Sequence, residues 1–282
     1  MLEHGGRLRT AAQHYGIALA DWIDLSTGIN PLGYPIPPID PVCWQRLPED
    51  DNGLEAAAAA YYGNERLLVL PGSQAAIQIL PALFAPVAVA CLTPIYEELP
   101  QAWQRAGHHL RRLPTLQRAL AAATPNVLLC NPNNPSALTL PHSALLDAAA
   151  RIGFIFGVAE KLDRLREAIG PWPVSHPVRA GARQALVDSE WQAATRHRLA
   201  GSSRRLAGLL APLGAVCRTA LFCTLSKPDN AAQLTALHEH FARRAILTRR
   251  FDQHALLRFG LPGSEEQWQR LTSAIAEWTP PC

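Results

Sequence analysis

Asn126-Val127-Leu128-Leu129-Cys130-Asn131-Pro132-Asn133-Asn134-Pro135-Ser136 is the stretch on which the fold turns. Its first half is an apolar run of strand length. Its second half is built from asparagine, proline and serine, the residues that favour turns. Read as a turn, the second half simply ends the strand. Read as the carboxyl end of an interior parallel strand, it becomes the polar lip at which ligands of open α/β sheets sit. Both readings stay open on this stretch alone.

Outward from it, short apolar runs alternate with helical patterns. Upstream, residues 67–70 and 87–92 read as strands, and 73–84 and 97–106 as helices. Ala56 to Ala60 favours a helix that ends at Gly63. Downstream, 141–150 reads as a helix and 153–158 as a strand. Such alternation implies an α/β fold, with a mostly parallel sheet covered by helices on both faces. Residues 182–210 read as one or two long helices leading out of that layer. A smaller C-terminal α/β unit follows, with strands at 221–225 and 256–259 and helices at 230–243 and 264–278. The expected organisation is an arm over 1–35, a large domain over 36–195 and a small domain over 196–282.

The composition supports a sizeable core: 48% of the 282 residues are hydrophobic and 17% charged, which argues against disorder. A formal net charge of +3 without basic blocks gives no footprint for nucleic acid or a membrane surface. No apolar run reaches the ~20 residues of a membrane helix. The opening Glu3-His4-Gly5-Gly6-Arg7 has no apolar segment, so no signal peptide is expected. The six cysteines form no C-x-x-C pair and read as reduced thiols of a cytoplasmic protein. His108-His109 and His238-x-His240 have no recognised metal spacing, so no metal site is expected. No Ser-His-Asp arrangement can be defended.

Two further motifs lie at strand ends. Pro71-Gly72-Ser73-Gln74 stands between a strand and a helix, where backbone N–H groups favour an anion and Gly72 allows its close approach. Thr93-Pro94-Ile95-Tyr96 puts an aromatic where it can stack on a flat ring or simply pack in the core.

Taken in order, these motifs resemble the fold-type I pyridoxal-phosphate (PLP) enzymes, the aminotransferase fold. The resemblance implies that Gly72, Ser73 and Gln74 cradle the cofactor phosphate, Tyr96 stacks on its ring and Asn134 meets its hydroxyl. Arg151-Ile152-Gly153-Phe154 resembles the family segment whose arginine pairs with that phosphate. The ends narrow the likeness. His4-Gly5-Gly6 and Asp24-Leu25-Ser26-Thr27-Gly28-Ile29-Asn30-Pro31 resemble the arm of the threonine-phosphate decarboxylases of cobalamin synthesis. Ile246-Leu247-Thr248-Arg249 and Leu256-Leu257-Arg258-Phe259 resemble that family's two C-terminal arginine motifs. By that resemblance His4, Gly5, Asn30 and Arg249 bind a small phosphorylated amino acid and Arg258 holds its carboxylate. A homodimer is implied as well. Arg258 stands out without the family, because a charge in an apolar strand needs a partner.

One part of the pattern is missing. The family carries a Schiff-base lysine in an S-x-x-K segment shortly before the arginine of Arg151-Ile152-Gly153, and an aspartate on an earlier strand for the pyridine nitrogen. This chain has neither segment. Its two lysines, Lys161 and Lys227, match no such motif. The helical pattern ending at Ala150 runs into Arg151 without the usual loop of ~2–6 residues. A segment on the order of 50 residues, about one and a half βαβ units, is expected to be absent there. The reading is therefore a threonine-phosphate decarboxylase-like protein with impaired chemistry. A histidinol-phosphate-type aminotransferase and a non-catalytic binding or scaffold remnant of the same fold are the alternatives.

Overall fold

The computed structural model describes residues 4–50, 52–141, 159–227 and 229–280. The helix expected over 142–150, the strand expected over 153–158 and Arg151 lie outside the described residues.

The chain opens with helix α1 (Leu8–Tyr15), closed by Gly16 in the left-handed region, and a short strand β1 (Ile23–Asp24). Helix α2 (Leu54–Tyr62) ends as its alanine run predicts, at Gly63 with φ 68°. Helix α3 (Ser73–Ile79) tightens into a 3-10 turn over Leu80–Leu83, where Pro81 cannot donate to the α-helical ladder.

Three parallel strands follow: β2 (Ala88–Leu92), β3 (His109–Leu113) and β4 (Asn126–Leu128). Their order is β3-β2-β4, with Val89 opposite Asn126 and Ala88 opposite His109. β2 is central and its Val89, Ala90 and Cys91 are fully buried, as a strand covered on both faces requires. Burial also pushes the Cys91 thiol up to about 11, which leaves it an inert core residue. Crossover helix α4 (Glu98–Arg105) buries Ala102 and Trp103. Helix α5 (Leu116–Ala121) starts at Thr115, whose hydroxyl accepts from the Arg118 N–H.

Residues 67–70, expected as a strand, pair with no strand among the described residues. An apolar run becomes a strand only where it lies beside a ladder partner, and residues 67–70 pair with none of β2, β3 and β4. β3 was not foreseen because His109-Leu110-Arg111-Arg112-Leu113 has too many charges for an apolar run.

The second half begins with α6 (Ala159–Ile169), α7 (His176–Val187) and α8 (Ser189–Leu210). α8 runs unbroken across the expected boundary at 195/196. Strands β5 (Ala215–Arg218) and β6 (Phe222–Ser226) precede helix α9 (Ala231–Ala242). Strands β7 (Ile246–Leu247), β8 (Arg249–Phe251) and β9 (Leu256–Gly260) and helix α10 (Glu265–Ala276) complete it. The antiparallel sheet has the order β5-β6-β9-β8.

Leu206, Leu225, Leu237, Phe241, Phe259 and Leu271 form its core, and each fully buried side chain contributes roughly 1.5–3 kcal/mol. Phe241 meets Phe259 edge-on at 5.4 Å. Ile23 and Leu25 belong to the same core, because β1 pairs in parallel with β7. The arm is thus built into the C-terminal half. It lies so close to β9 that a Cβ on Gly260 would stand 2.3 Å from the Thr27 carbonyl. No helix among the described residues is long and apolar enough to cross a membrane.

Candidate active site

Between the two halves lies a cleft of about 810 Å³. His4, Gly5, Ser73, Tyr96, Asn134, Arg249 and Arg258 all reach it.

Arg258 sits in β9, held there by the flanking apolar residues, and is 7% exposed. Its Nη1 donates to Asn134 Oδ1 at 2.7 Å and its Nη2 to the Ser26 carbonyl at 2.5 Å. Its Nε has no hydrogen-bond partner. The rings of Phe222 and Phe251 stand 5.4 and 5.6 Å from the guanidinium carbon. Burial first, then the charge of Arg249, lower its pKa to about 10, so it remains a cation at neutral pH. A buried cation whose hydrogen-bond partners are both neutral oxygens is a place for an anion.

The asparagine loop resolves into two roles. Asn131 accepts from the Leu140 N–H at 2.8 Å, and Asn133 Nδ2 donates to the Pro94 carbonyl and to Ser136 Oγ, both at 2.7 Å. These two are struts of the turn. Asn134 reaches the cleft. Thr224 of β6 donates to the Pro135 carbonyl at 2.6 Å and so fixes the loop to the C-terminal half.

Tyr96 follows buried Ile95 at the end of β2. Burial, then the charge of Glu98, raise its phenol pKa, and it stays neutral. Ser73 opens α3 at the cleft, whereas Gly72 and Gln74 are exposed and do not line it. Gly72 does have the expected freedom: its φ is +82° and no atom lies within 4 Å of a Cβ built there. Asn30 is spent locally, accepting from the Leu32 N–H at 3.1 Å, and does not line the cleft.

The arm crosses the mouth. A Cβ on Gly5 would stand 2.3 Å from the Ser26 carbonyl, and the Gly6 N–H donates to Ser26 Oγ at 2.7 Å. Ser26 Oγ in turn donates to Asp24 Oδ1 at 2.6 Å. His4 Nε2 donates to Glu98 Oε1 at 2.9 Å. Arg249 and Arg250 enter from β8, Arg250 paired with Asp252.

The lysines are elsewhere. Lys161 Nζ lies 5.0 Å from the Phe84 ring centroid, and Lys227 Nζ donates to Gln233 Oε1 at 2.5 Å. Neither lines the cleft. Of the residues expected to hold PLP, Ser73, Tyr96 and Asn134 reach the cleft, and neither lysine of the chain stands there for its aldehyde. Among the described residues no three His, Cys, Asp or Glu groups could share a metal ion.

Sequence reasoning missed Glu97, Phe222 and Phe251, which also line the cleft. Nothing local marks them, since only the closure of β6, β8 and α4 around the cleft gives them a place in it.

The sequence profile of the class I and II aminotransferases matches residues 47–150. The threonine-phosphate decarboxylase of Pseudomonas aeruginosa is 40% identical, with 100% of this chain and 99% of that protein covered. The alignment spans 335 positions against 282 residues here, so 53 or more of its positions have no counterpart in this chain. A threonine-phosphate decarboxylase of Sinorhizobium sp is 31% identical, with 97% of each chain covered. Among solved structures, the histidinol-phosphate aminotransferase of Sinorhizobium meliloti in complex with pyridoxal-5'-phosphate superposes with a TM-score of 0.76. It covers 98% of this chain and 95% of its own at 16% identity, a likeness of fold alone.

Proposed function

This chain belongs to the threonine-phosphate decarboxylase family, PLP-dependent lyases with the fold of the class I and II aminotransferases, and on that premise we propose that its cleft takes L-threonine O-phosphate and PLP while lacking the covalent anchor for the cofactor. The observation that carries the reading is Arg258: a buried guanidinium with only neutral hydrogen-bond partners, in one cleft with Tyr96, Asn134 and Arg249.

In this reading Arg258 binds the substrate carboxylate, the group lost as carbon dioxide. His4 and Arg249 bind the phosphate at the other end of the molecule, with Gly5 giving it room. Two anion sites at a set distance select an amino acid that carries both charges. Ser73, Tyr96 and Asn134 would hold PLP by its phosphate, ring and hydroxyl. Arg151, outside the described residues, and Gly72 and Gln74 complete the phosphate cradle only by resemblance. PLP, when bound, supplies the sink for the electron pair left behind at the α-carbon. The rings of Phe222 and Phe251 shield the carboxylate end from water, which strengthens the Arg258 contact. The product, aminopropanol phosphate, suits the corrin side chain of cobalamin.

The absence of a lysine in the cleft, the profile match that ends at Ala150 and the 53 surplus alignment positions all support a lost segment at Ala150-Arg151. Turnover then falls by several orders of magnitude, because covalent anchoring and the pyridine-nitrogen aspartate are lost together. The test is to add PLP, reduce with borohydride and map the protein by mass spectrometry. No lysine adduct is expected; an adduct on Lys161 or Lys227 would overturn the reading. Calorimetry with L-threonine O-phosphate and histidinol phosphate tests the substrate, and tighter binding of histidinol phosphate would turn the assignment towards an aminotransferase.

A second copy of the chain is the partner that the family resemblance implies. Ile36, Trp44, Tyr62, Val178 and Val187 are exposed on neighbouring elements, namely α2, α7 and the segment before α2. Trp44 and Tyr62, at 71% and 70% exposed, are the large side chains among them that such a contact would cover.

A further inference from the structure

We propose that Thr224 is a positioning residue for carboxylate binding: its hydroxyl holds the Pro135 carbonyl, keeps Asn134 against Arg258 and so aims the guanidinium at the substrate carboxylate. The inference rests on the reading of Arg258 given under the proposed function and goes one residue deeper.

Thr224 lies in the middle of β6, between the buried Cys223 and Leu225, and is 1% exposed. Its backbone is laddered on both sides, opposite Cys217 of β5 and Arg258 of β9. Residues directly opposite in an antiparallel pair present their side chains on one face, so the Thr224 hydroxyl and the Arg258 side chain leave the sheet together. Phe222, two residues earlier, shares that face, with its ring 5.4 Å from the guanidinium carbon. The hydroxyl reaches off the sheet and donates to the Pro135 carbonyl at 2.6 Å, across 89 positions of sequence.

These contacts close a ring. Arg258 Nη1 donates to Asn134 Oδ1 at 2.7 Å, Asn134 is joined to Pro135, Pro135 is held by Thr224, and Thr224 is the ladder partner of Arg258. The guanidinium also donates through Nη2 to the Ser26 carbonyl, and its Nε has no hydrogen-bond partner. The Ser26 contact comes from the arm, which is built into the C-terminal half. The Asn134 contact comes from a loop that Asn133 ties to the Pro94 carbonyl, at the end of β2. That tie fixes the loop to the parallel sheet and not to β9. The Thr224 bond supplies the missing side.

Packing alone does not call for this hydroxyl. Valine has the same branching and suits the same ladder. A hydroxyl this deeply buried costs free energy unless it is hydrogen-bonded, and its one proton goes to Pro135. Loss of that bond leaves the Pro135 carbonyl to find another partner, and frees Asn134 and the guanidinium together. A side chain that has to be ordered on binding weakens affinity by roughly two- to tenfold. Arg249, which reads the phosphate, lies on β8, on the far side of β9 from Thr224. The loss therefore falls on the carboxylate end of the ligand.

The test is calorimetric titration of the full chain with L-threonine O-phosphate and with O-phosphoethanolamine, which lacks the carboxylate. The chains are the unaltered protein, Thr224→Val, Thr224→Ser, Arg258→Met, Asn134→Ala, and Asn134→Ala combined with Thr224→Val. Thr224→Val should bind L-threonine O-phosphate roughly fivefold more weakly and O-phosphoethanolamine equally well. Thr224→Ser, which keeps the hydroxyl, should restore the affinity. In the Asn134→Ala chain Thr224→Val should add no further loss, because its effect passes through Asn134. Should the valine chain not fold, Thr224→Ala takes its place in each comparison. If the unaltered chain binds L-threonine O-phosphate no better than Arg258→Met does, the carboxylate role of Arg258 falls and this inference with it. If Arg258→Met loses the carboxylate ligand alone, the role of Arg258 stands. The inference by itself is then overturned when Thr224→Val binds that ligand unchanged, weakens both ligands alike, or adds its full cost to Asn134→Ala.

Discussion

Arg258 combines three properties that pull against one another: it is charged, it is 7% exposed, and its hydrogen-bond partners are neutral. Such a residue weakens the empty protein and strengthens the ligand complex. Arg258→Met, of similar length and apolar, should therefore leave the stability of the ligand-free chain unchanged or raised, as replacement of buried charge often does. The same change should cost about 2 kcal/mol in binding L-threonine O-phosphate, roughly 30-fold in affinity. O-Phosphoethanolamine, which lacks the carboxylate, should bind both proteins alike. Equal loss for the two ligands would show that Arg258 does not meet a carboxylate. Arg258 was readable from Leu256-Leu257-Arg258-Phe259 alone, because an apolar strand does not accept a charge without a purpose. Asn30 shows the reverse. Its place in a motif pointed to the substrate, yet its side chain closes its own turn.

At the scale of elements, a buried ion pair joins two helices. Arg179 of α7 is 3% exposed and reaches Glu55 of α2 at 2.7 Å and Asn52 at 3.2 Å. The Glu55 side chain is 37% exposed, so the two ends of the pair differ. Removing the glutamate strands a buried cation, while removing the arginine leaves a carboxylate that water can reach. Glu55→Ala should cost about 3 kcal/mol and Arg179→Met clearly less, as read by urea denaturation. Equal costs would show that the pair is solvated at both ends.

His238 gives a pH dependence of known sign. It lies on α9, and its Nδ1 stands 2.7 Å from Thr248 Oγ1, beside the strand that carries Arg249. Burial, then the charge of Arg250, lower its pKa below 6.5. As the pH falls through 6.5, the unfolded chain takes up this proton before the folded one does. Stability complete above that pH is therefore lost below it, until the folded-state pKa has been passed. His238→Gln should flatten this limb in denaturation curves taken across pH, and an unaltered limb would exclude His238 as its source.

For the whole molecule, the second copy proposed above leads to an expected mass of twice 30.7 kDa in sedimentation equilibrium. Trp44→Glu should shift the population towards the single chain, with little effect on folding because Trp44 is 71% exposed. A single-chain mass for the unaltered protein would remove the second copy from the proposal.

The sequence by itself determined the α/β alternation, the order of the motifs from His4 to Arg258 and the absence of a lysine in any Schiff-base motif. These are legible because apolar periodicity, glycine and proline at turns, and motif order are local properties of the chain. Only the tertiary structure decided that residues 67–70 find no sheet edge, that the arm pairs with β7, and that Asn133 is a strut while Asn134 faces the cleft. It alone brought Glu98 to His4 across 94 positions and put both lysines away from the cleft. Hydrogen-bond partners and burial depend on which distant segments meet, and a local pattern carries no record of that meeting.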